Sequence, residues 1–364
     1  MNELESKLAR VGVLLDNYHL DALLLQRVSS FAWASCGARS YINTATTTGE
    51  AALLITRSGE RYLITNNIEA PHYEKEEELK AQGWEFCLAP WYGPNPAIAE
   101  LTRGLKFGAD MAYPGAVDLS TEVARLRTDL TPVEQERMRA LSATAAEALG
   151  GSARAVKPGM SEMEIAALIE VEAQKRAVQP IVALVATDRR IFDFRHPLPT
   201  QKKLERYAML ILCARAQGLV CSLTRLVHFG KLPEEIRHKA ELTAQVDGMV
   251  MSATRPGRRL GEVFGDIQKA YAAVGYDGEW QLHHQGGSAG YEPREFLGVP
   301  GSPELIKVGQ AFAWNPSITG TKSEDTMLVT ESGFEVLTQT PGWPMLRVTV
   351  DGRTIERPAI LEID

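Results

Sequence analysis

The residues best able to do chemistry are concentrated between His283 and Asp325. That stretch holds the adjacent pair His283-His284, a Gly-rich turn, Arg294-Glu295, an apolar run ending at Asn315-Pro316, and Lys322-Ser323-Glu324-Asp325. Polar groups this dense, interleaved with Gly and Pro, suit a site on loops and strand ends. Upstream, His196 lies in Phe194-Arg195-His196-Pro197-Leu198-Pro199. A histidine titrates near neutral pH and can carry protons to and from a reacting group. Arg294 offers a rigid two-pronged donor for a substrate carboxylate. Glu324, with Glu295, can hold a cationic group or orient an imidazole. Asn315 either contacts a ligand or hydrogen-bonds a turn. His283 and His284 are adjacent, so on a strand they face opposite sides and at most one is expected in a cleft. Each assignment has a structural counterpart. His196 can cap a turn, Arg294 can pair with Glu292 or Glu295 at the surface for little energy, and Glu324 can belong to a solvated edge with Lys322 and Asp325. Arg225 reads as one half of a structural ion pair, and Arg255, Arg258 and Arg259 as solvated.

The elements that must present these groups can be read from periodicity. Apolar positions at helical spacing (Leu4, Leu8, Val11, Leu14, Leu15) predict a helix over 2–18. Strands are expected at 20–25, 51–56, 61–65, 84–89 and 106–110, with Arg57-Ser58-Gly59-Glu60 as a hairpin turn. Ser29-Ser30-Phe31-Ala32-Trp33 reads as a packed aromatic pair. Thr131-Pro132-Val133-Glu134 starts a helix running to about Ala155, with Thr as the N-cap and Pro in the first turn. Ser161 and Glu164 form a capping box for a second helix. Strands are expected over 181–186, 208–214 and 218–224, and two further helices over 233–253 and 260–274. The remainder is strand-rich, with Asp351-Gly352 as a tight hairpin turn.

Composition narrows the class. The chain has 364 residues, 45% hydrophobic and 23% charged, as expected for one or two globular domains. A net charge of −7 argues against general nucleic-acid binding. No apolar run approaches a membrane span, and the acidic N-terminus has no cleavable apolar core. The four cysteines show no CxxC and no compact spacing, and read as free thiols in a reducing cytoplasm.

Val156-Lys157-Pro158-Gly159-Met160-Ser161-Glu162 followed by a helix resembles the first helix pair of the creatinase/prolidase/aminopeptidase P superfamily, peptidase family M24. Arg255-Pro256-Gly257 through Gly261-Glu262-Val263-Phe264 and Gly275-Tyr276 resembles its second pair. Leu20-Asp21-Ala22-Leu23-Leu24 is similar to its N-terminal domain. The resemblance covers nearly the whole chain. It implies an α+β protein: a creatinase-type N-terminal α/β domain over 1–127 and a pita-bread domain over 130–364.

Peptidases of that family hold two divalent ions with two Asp, one His and two Glu. Carried over by position, the first Asp falls on Ile211 and the second on Ser222. The His falls on Gly287 and the first Glu on Asn315. Only the last Glu remains, as Glu324. One carboxylate cannot hold two dications against water, so no metal and no other cofactor is expected. The retained groups, His196, Arg294, Glu295 and Glu324, resemble those of creatinase, which lacks metal and also reads Arg-Glu at 294–295. Creatinase has a Glu where this chain has Ser222, so creatine itself is not expected as substrate.

The expected function is metal-independent hydrolysis of a C–N bond in a small amidino, lactam or dipeptide-like substrate. His196, Glu324 and Glu295 are the catalytic candidates; Arg294, His283, His284 and Asn315 are the binding ones. The alternatives are a non-catalytic pita-bread module binding a small ligand, peptide or protein, and an Xaa-Pro peptidase with atypical metal binding. A cytoplasmic homodimer acting on a small molecule or short peptide, with no nucleic-acid or membrane partner, is implied by the resemblance.

Overall fold

The computed structural model describes residues 2–364. The chain divides into two compact units, Met1–Thr128 and Asp129–Asp364. In the first, the helix Glu3–Tyr18 opens with a capping box: Asn2 accepts from the Glu5 amide, and the Glu5 carboxylate accepts from the Asn2 amide. Its apolar stripe buries Val11, Leu14 and Leu15. The strand Ala22–Arg27 is central, antiparallel to Thr48–Thr56 and parallel to Phe107–Ala109, within a sheet of six strands among the described residues. Buried Asp110 closes its end by accepting from the amides of Gln26 at 2.8 Å and Arg27 at 3.0 Å.

The segment after this strand is a helix, Val28–Ala34, and it is buried throughout. The expected pairing of Phe31 with Trp33 is corrected, because residues two apart in a helix leave it on nearly opposite sides. Phe31 packs on Tyr73 with centroids 5.6 Å apart, and Trp33 lies under the Lys7 ammonium at 5.8 Å.

The second unit is built from two helix pairs, Pro132–Ala155 with Glu162–Gln174 and Glu234–Ala253 with Leu260–Ala273. Ser161 with Glu164 forms the capping box read from the sequence, and Thr131, read as an N-cap, forms a second one with Glu134. One sheet contains Gln179–Thr187, Tyr207–Ala216, Leu219–Phe229 and Leu361–Ile363. The other runs Phe296–Leu297, Gly286–Ala289, Ala311–Trp314, Asp325–Thr330 and Gly333–Val336 in spatial order. The two sheets join where the Ser222 amide donates to Thr326 Oγ1 at 2.8 Å and the Thr224 amide donates to the Glu324 carbonyl at 3.1 Å. In the hairpin Met345–Val350/Arg353–Pro358, Asp351 and Gly352 both take positive φ, 50° and 74°. That is the conformation a two-residue turn of this hand requires.

Leu219–Phe229 extends beyond the expected 218–224 because Arg225 is accommodated inside the strand. Its guanidinium donates to Asp325 at 2.9 Å, to the Thr338 carbonyl at 2.6 Å and to Thr340 at 2.9 Å. Asp325 also receives Arg357 at 2.7 Å, and Arg357 reaches Asp247 at 2.6 Å. These four side chains are all at most 2% exposed, so the charges stand away from water and depend on one another. The network ties Glu234–Ala253, the last hairpin and both sheets together. Arg357→Met leaves Asp247 without its cation and Asp325 with one of its two. It is expected to lower unfolding free energy by about 3–5 kcal/mol, read as a shift in the urea midpoint of the full-length chain.

Candidate functional site

Glu324 immediately precedes the strand Asp325–Thr330 and is 2% exposed. One carboxylate oxygen accepts from Arg294 Nη2 at 3.0 Å. The other is 2.8 Å from Lys322 Nζ and accepts from Thr224 Oγ1 at 2.6 Å. The two cations and the hydroxyl hold its pKa down at about 2 against the opposing effect of burial. Arg294 also donates to Ser222 Oγ at 3.1 Å, so the position matched to the second Asp now supports an arginine. Lys322 is 9% exposed, so the alternative of a solvated edge for Glu324 does not hold. Its spacing two residues before Glu324 was the available signal, since i and i+2 share a face of extended chain.

The histidines correct a second expectation. Both His283 and His284 converge with His196. Ring centroids are 4.8 Å apart for His196–His283, 5.3 Å for His196–His284 and 4.4 Å for His283–His284. The Nε2 atoms of His196 and His283 are 3.1 Å apart. Alternation fails because the pair lies in the bend after a short 3-10 helix, Glu279–Leu282, before the strand Gly286–Ala289 begins. Glu279 sets where that bend goes. Its carboxylate accepts from Arg195 at 2.8 Å and from the Thr319 hydroxyl at 2.7 Å, tying the His196 loop to the helix that delivers His283. Gln285 steadies the pair from the other side: its amide donates to the His283 carbonyl at 2.6 Å, and its oxygen accepts from Tyr271 at 2.8 Å.

Burial pushes the His283 pKa to about 2 and that of the more exposed His284 to about 4, with nearby Lys322 and Arg294 adding to the shift. The His196 pKa is lowered by the same causes, burial first and then Lys322, with Glu324 opposing. All three rings are therefore neutral at pH 7, and in the Nε2–Nε2 contact of His196 and His283 one ring donates and the other accepts.

The Glu295 carboxylate accepts from the Tyr291 amide at 3.0 Å, in the turn before Phe296–Leu297. Asn315 is 2% exposed, and its amide donates to the Gln285 carbonyl at 3.0 Å. Among the described residues, Arg294 Nε, His283 Nδ1 and Asn315 Oδ1 are buried without hydrogen-bond partners. Such orphans concentrate where a ligand completes the structure. A separate groove of this unit lies elsewhere. It is lined by Arg255, Phe334, Arg347 and Glu356 among others, and its charges form exposed pairs such as Arg347–Glu356 and Arg255–Asp351.

Lowered histidine pKa values carry a stability consequence. Between pH 6.5 and the folded value of about 2, unfolded His283 binds a proton that the folded form refuses. Stability therefore falls as pH drops below 6.5, by up to about 1.4 kcal/mol per unit from this group. Glu324 adds loss below 4.5, as its folded pKa lies lower still. Urea midpoints at pH 7 and pH 5 should differ by less in His283→Gln than in the parent chain.

Comparison with known proteins follows this geometry. The sequence profile of metallopeptidase family M24 matches residues 136–331, and the chain belongs to that family. It is 24% identical over 233 residues to the Xaa-Pro dipeptidase of Lactobacillus helveticus, covering 61% of this chain and 63% of that one. An uncharacterized peptidase of Staphylococcus haemolyticus is 25% identical over 232 residues, covering 61% and 65%. The match thus spans under two thirds of the length of these relatives. In three dimensions the chain superposes on an Xaa-Pro dipeptidase from Bacillus anthracis with a TM-score of 0.78 at 19% identity, covering 99% of this chain and 100% of the other. The architecture is the two-domain prolidase fold with a C-terminal pita-bread domain. Among the described residues, no helix is long and apolar enough to cross a membrane.

The two-ion centre that the family implies does not fit the residues present. Ile211 is buried and has no lone pair, and a side chain at Gly287 would collide with the Phe296 carbonyl oxygen. The Glu324 charge is already matched by Arg294 and Lys322, so the one retained carboxylate has no net charge left to offer a pair of ions.

Proposed function

We propose that this cleft hydrolyses a C–N bond of a small amidino, lactam or dipeptide-like substrate without the paired metal ions of its family. The carrying observation is the gathering of three neutral imidazoles in the field of the Arg294–Glu324–Lys322 cluster. His196, at the exposed edge of the group, is the general base. It takes a proton from the attacking water and returns it to the leaving nitrogen, and neutral His283 accepts or donates at its Nε2 as the charge changes. Arg294, with its unpartnered Nε, holds a substrate carboxylate or the developing oxyanion. Lys322 adds a second positive charge, and Glu324 keeps both cations in place. Asn315 offers its free oxygen to a substrate N–H. The printed names of relatives that act on Xaa-Pro dipeptides make such dipeptides the first substrates to try. A cytoplasmic homodimer belongs to the same proposal, checked by a light-scattering mass of twice the chain.

The test is a panel of Xaa-Pro dipeptides, cyclic lactams and amidino acids assayed with chelator present throughout. Turnover that survives chelation and falls about 10²–10⁴-fold in His196→Ala is expected. Arg294→Met should raise KM for substrates with a carboxylate more than for those without. The acid limb of kcat/KM should lie below pH 6.5, since the base is active only when unprotonated and its pKa is lowered. Turnover that appears only on adding Mn²⁺ would overturn the metal-independent reading. Thermal stabilisation by a panel member with no turnover would favour a binding module instead.

A further inference from the structure

The same three imidazoles form a second kind of site. Among the described residues, one ligand atom from each of His196, His283 and His284 lies within 4.8 Å of the other two. The Nε2 atoms of His196 and His283 are 3.1 Å apart. Two nitrogens bound to one tetrahedral ion at about 2.0–2.1 Å stand roughly 3.3 Å apart, so this pair is already set for one ion. The third ring needs to close by up to about 1.5 Å to reach the same spacing, and His284, which stacks on His283, is exposed. The backbone that carries the rings is braced by Gln285 and by the Glu279–Arg195 tie. Buried His283 Nδ1 has no partner of its own.

We propose that His196, His283 and His284 capture a single borderline transition ion of the zinc, nickel or copper(II) class, and that its capture switches the cleft off. The site is distinct from the family's paired-ion centre in ligands and in place along the chain. Three imidazoles with no carboxylate favour ions that prefer nitrogen over those that prefer oxygen, so Mn²⁺ and Mg²⁺ are excluded. Arg294 and Lys322, only partly offset by Glu324, weaken cation binding and favour an anion, hydroxide or a ligand carboxylate, at the fourth position. The inhibitory part rests on the function proposed above: the ion takes the His196 lone pair that proton transfer needs. The metal site itself does not depend on that function.

The experiment is a titration of the chelator-stripped full-length chain with Zn²⁺ against a chromophoric competitor, alongside visible spectra of the Co²⁺ form. One equivalent of Zn²⁺ is expected, with tetrahedral-type Co²⁺ absorption and no binding of Mn²⁺ at millimolar concentration. His284→Ala, at an exposed position, should weaken Zn²⁺ at least 30-fold while the chain stays folded; His283→Ala serves as the buried counterpart. Zinc binding unchanged in His284→Ala, or two equivalents of Mn²⁺, would overturn the site. One equivalent of Zn²⁺ should abolish any turnover seen under chelation, and chelator should restore it; turnover raised by zinc would overturn the inhibitory role. Zinc binding without metal-free turnover leaves this site standing while the hydrolase reading fails. Metal-free turnover without zinc binding does the reverse.

Discussion

The candidate site depends on the ionised Glu324 carboxylate. Taken from water, a carboxylate is costly unless its lone pairs are filled. Here Arg294, Lys322 and Thr224 fill them at 2.6–3.0 Å. Because each partner comes from a different segment, satisfying one charge fixes three pieces of chain at once. The arginine in turn holds Ser222, and Thr224 lies in the strand that joins the two sheets. Two cations against one carboxylate leave this cluster with a net positive charge.

Burial first, and the field of that charge second, explain the state of the histidines. Three imidazoles near two cations and partly out of water resist protonation, and their pKa values are all lowered. Neutral rings can serve either as bases or as ligands for a borderline ion. The two uses compete for the same lone pair on His196.

Much of the framework was legible because it is governed by local rules. The helices over 132–155 and 162–174 begin at capping boxes that the residue types alone specify. The Asp351-Gly352 turn follows from the positive φ its hand requires. Strand limits were less legible where a charge is buried. Arg225 looks like a strand end until Asp325 and two carbonyl or hydroxyl partners distant in sequence are known.

By itself the sequence determined the family and the order of elements, since these depend on residue identity and near-neighbour spacing. Only the tertiary structure decided that His283 and His284 both meet His196, 87 residues from His283. It also decided that Lys322 turns inward. The physical reason is that bends have no period to extrapolate. Their direction is set by long-range ties such as Arg195–Glu279, 84 residues apart, whose energy appears only once the chain has brought the partners together.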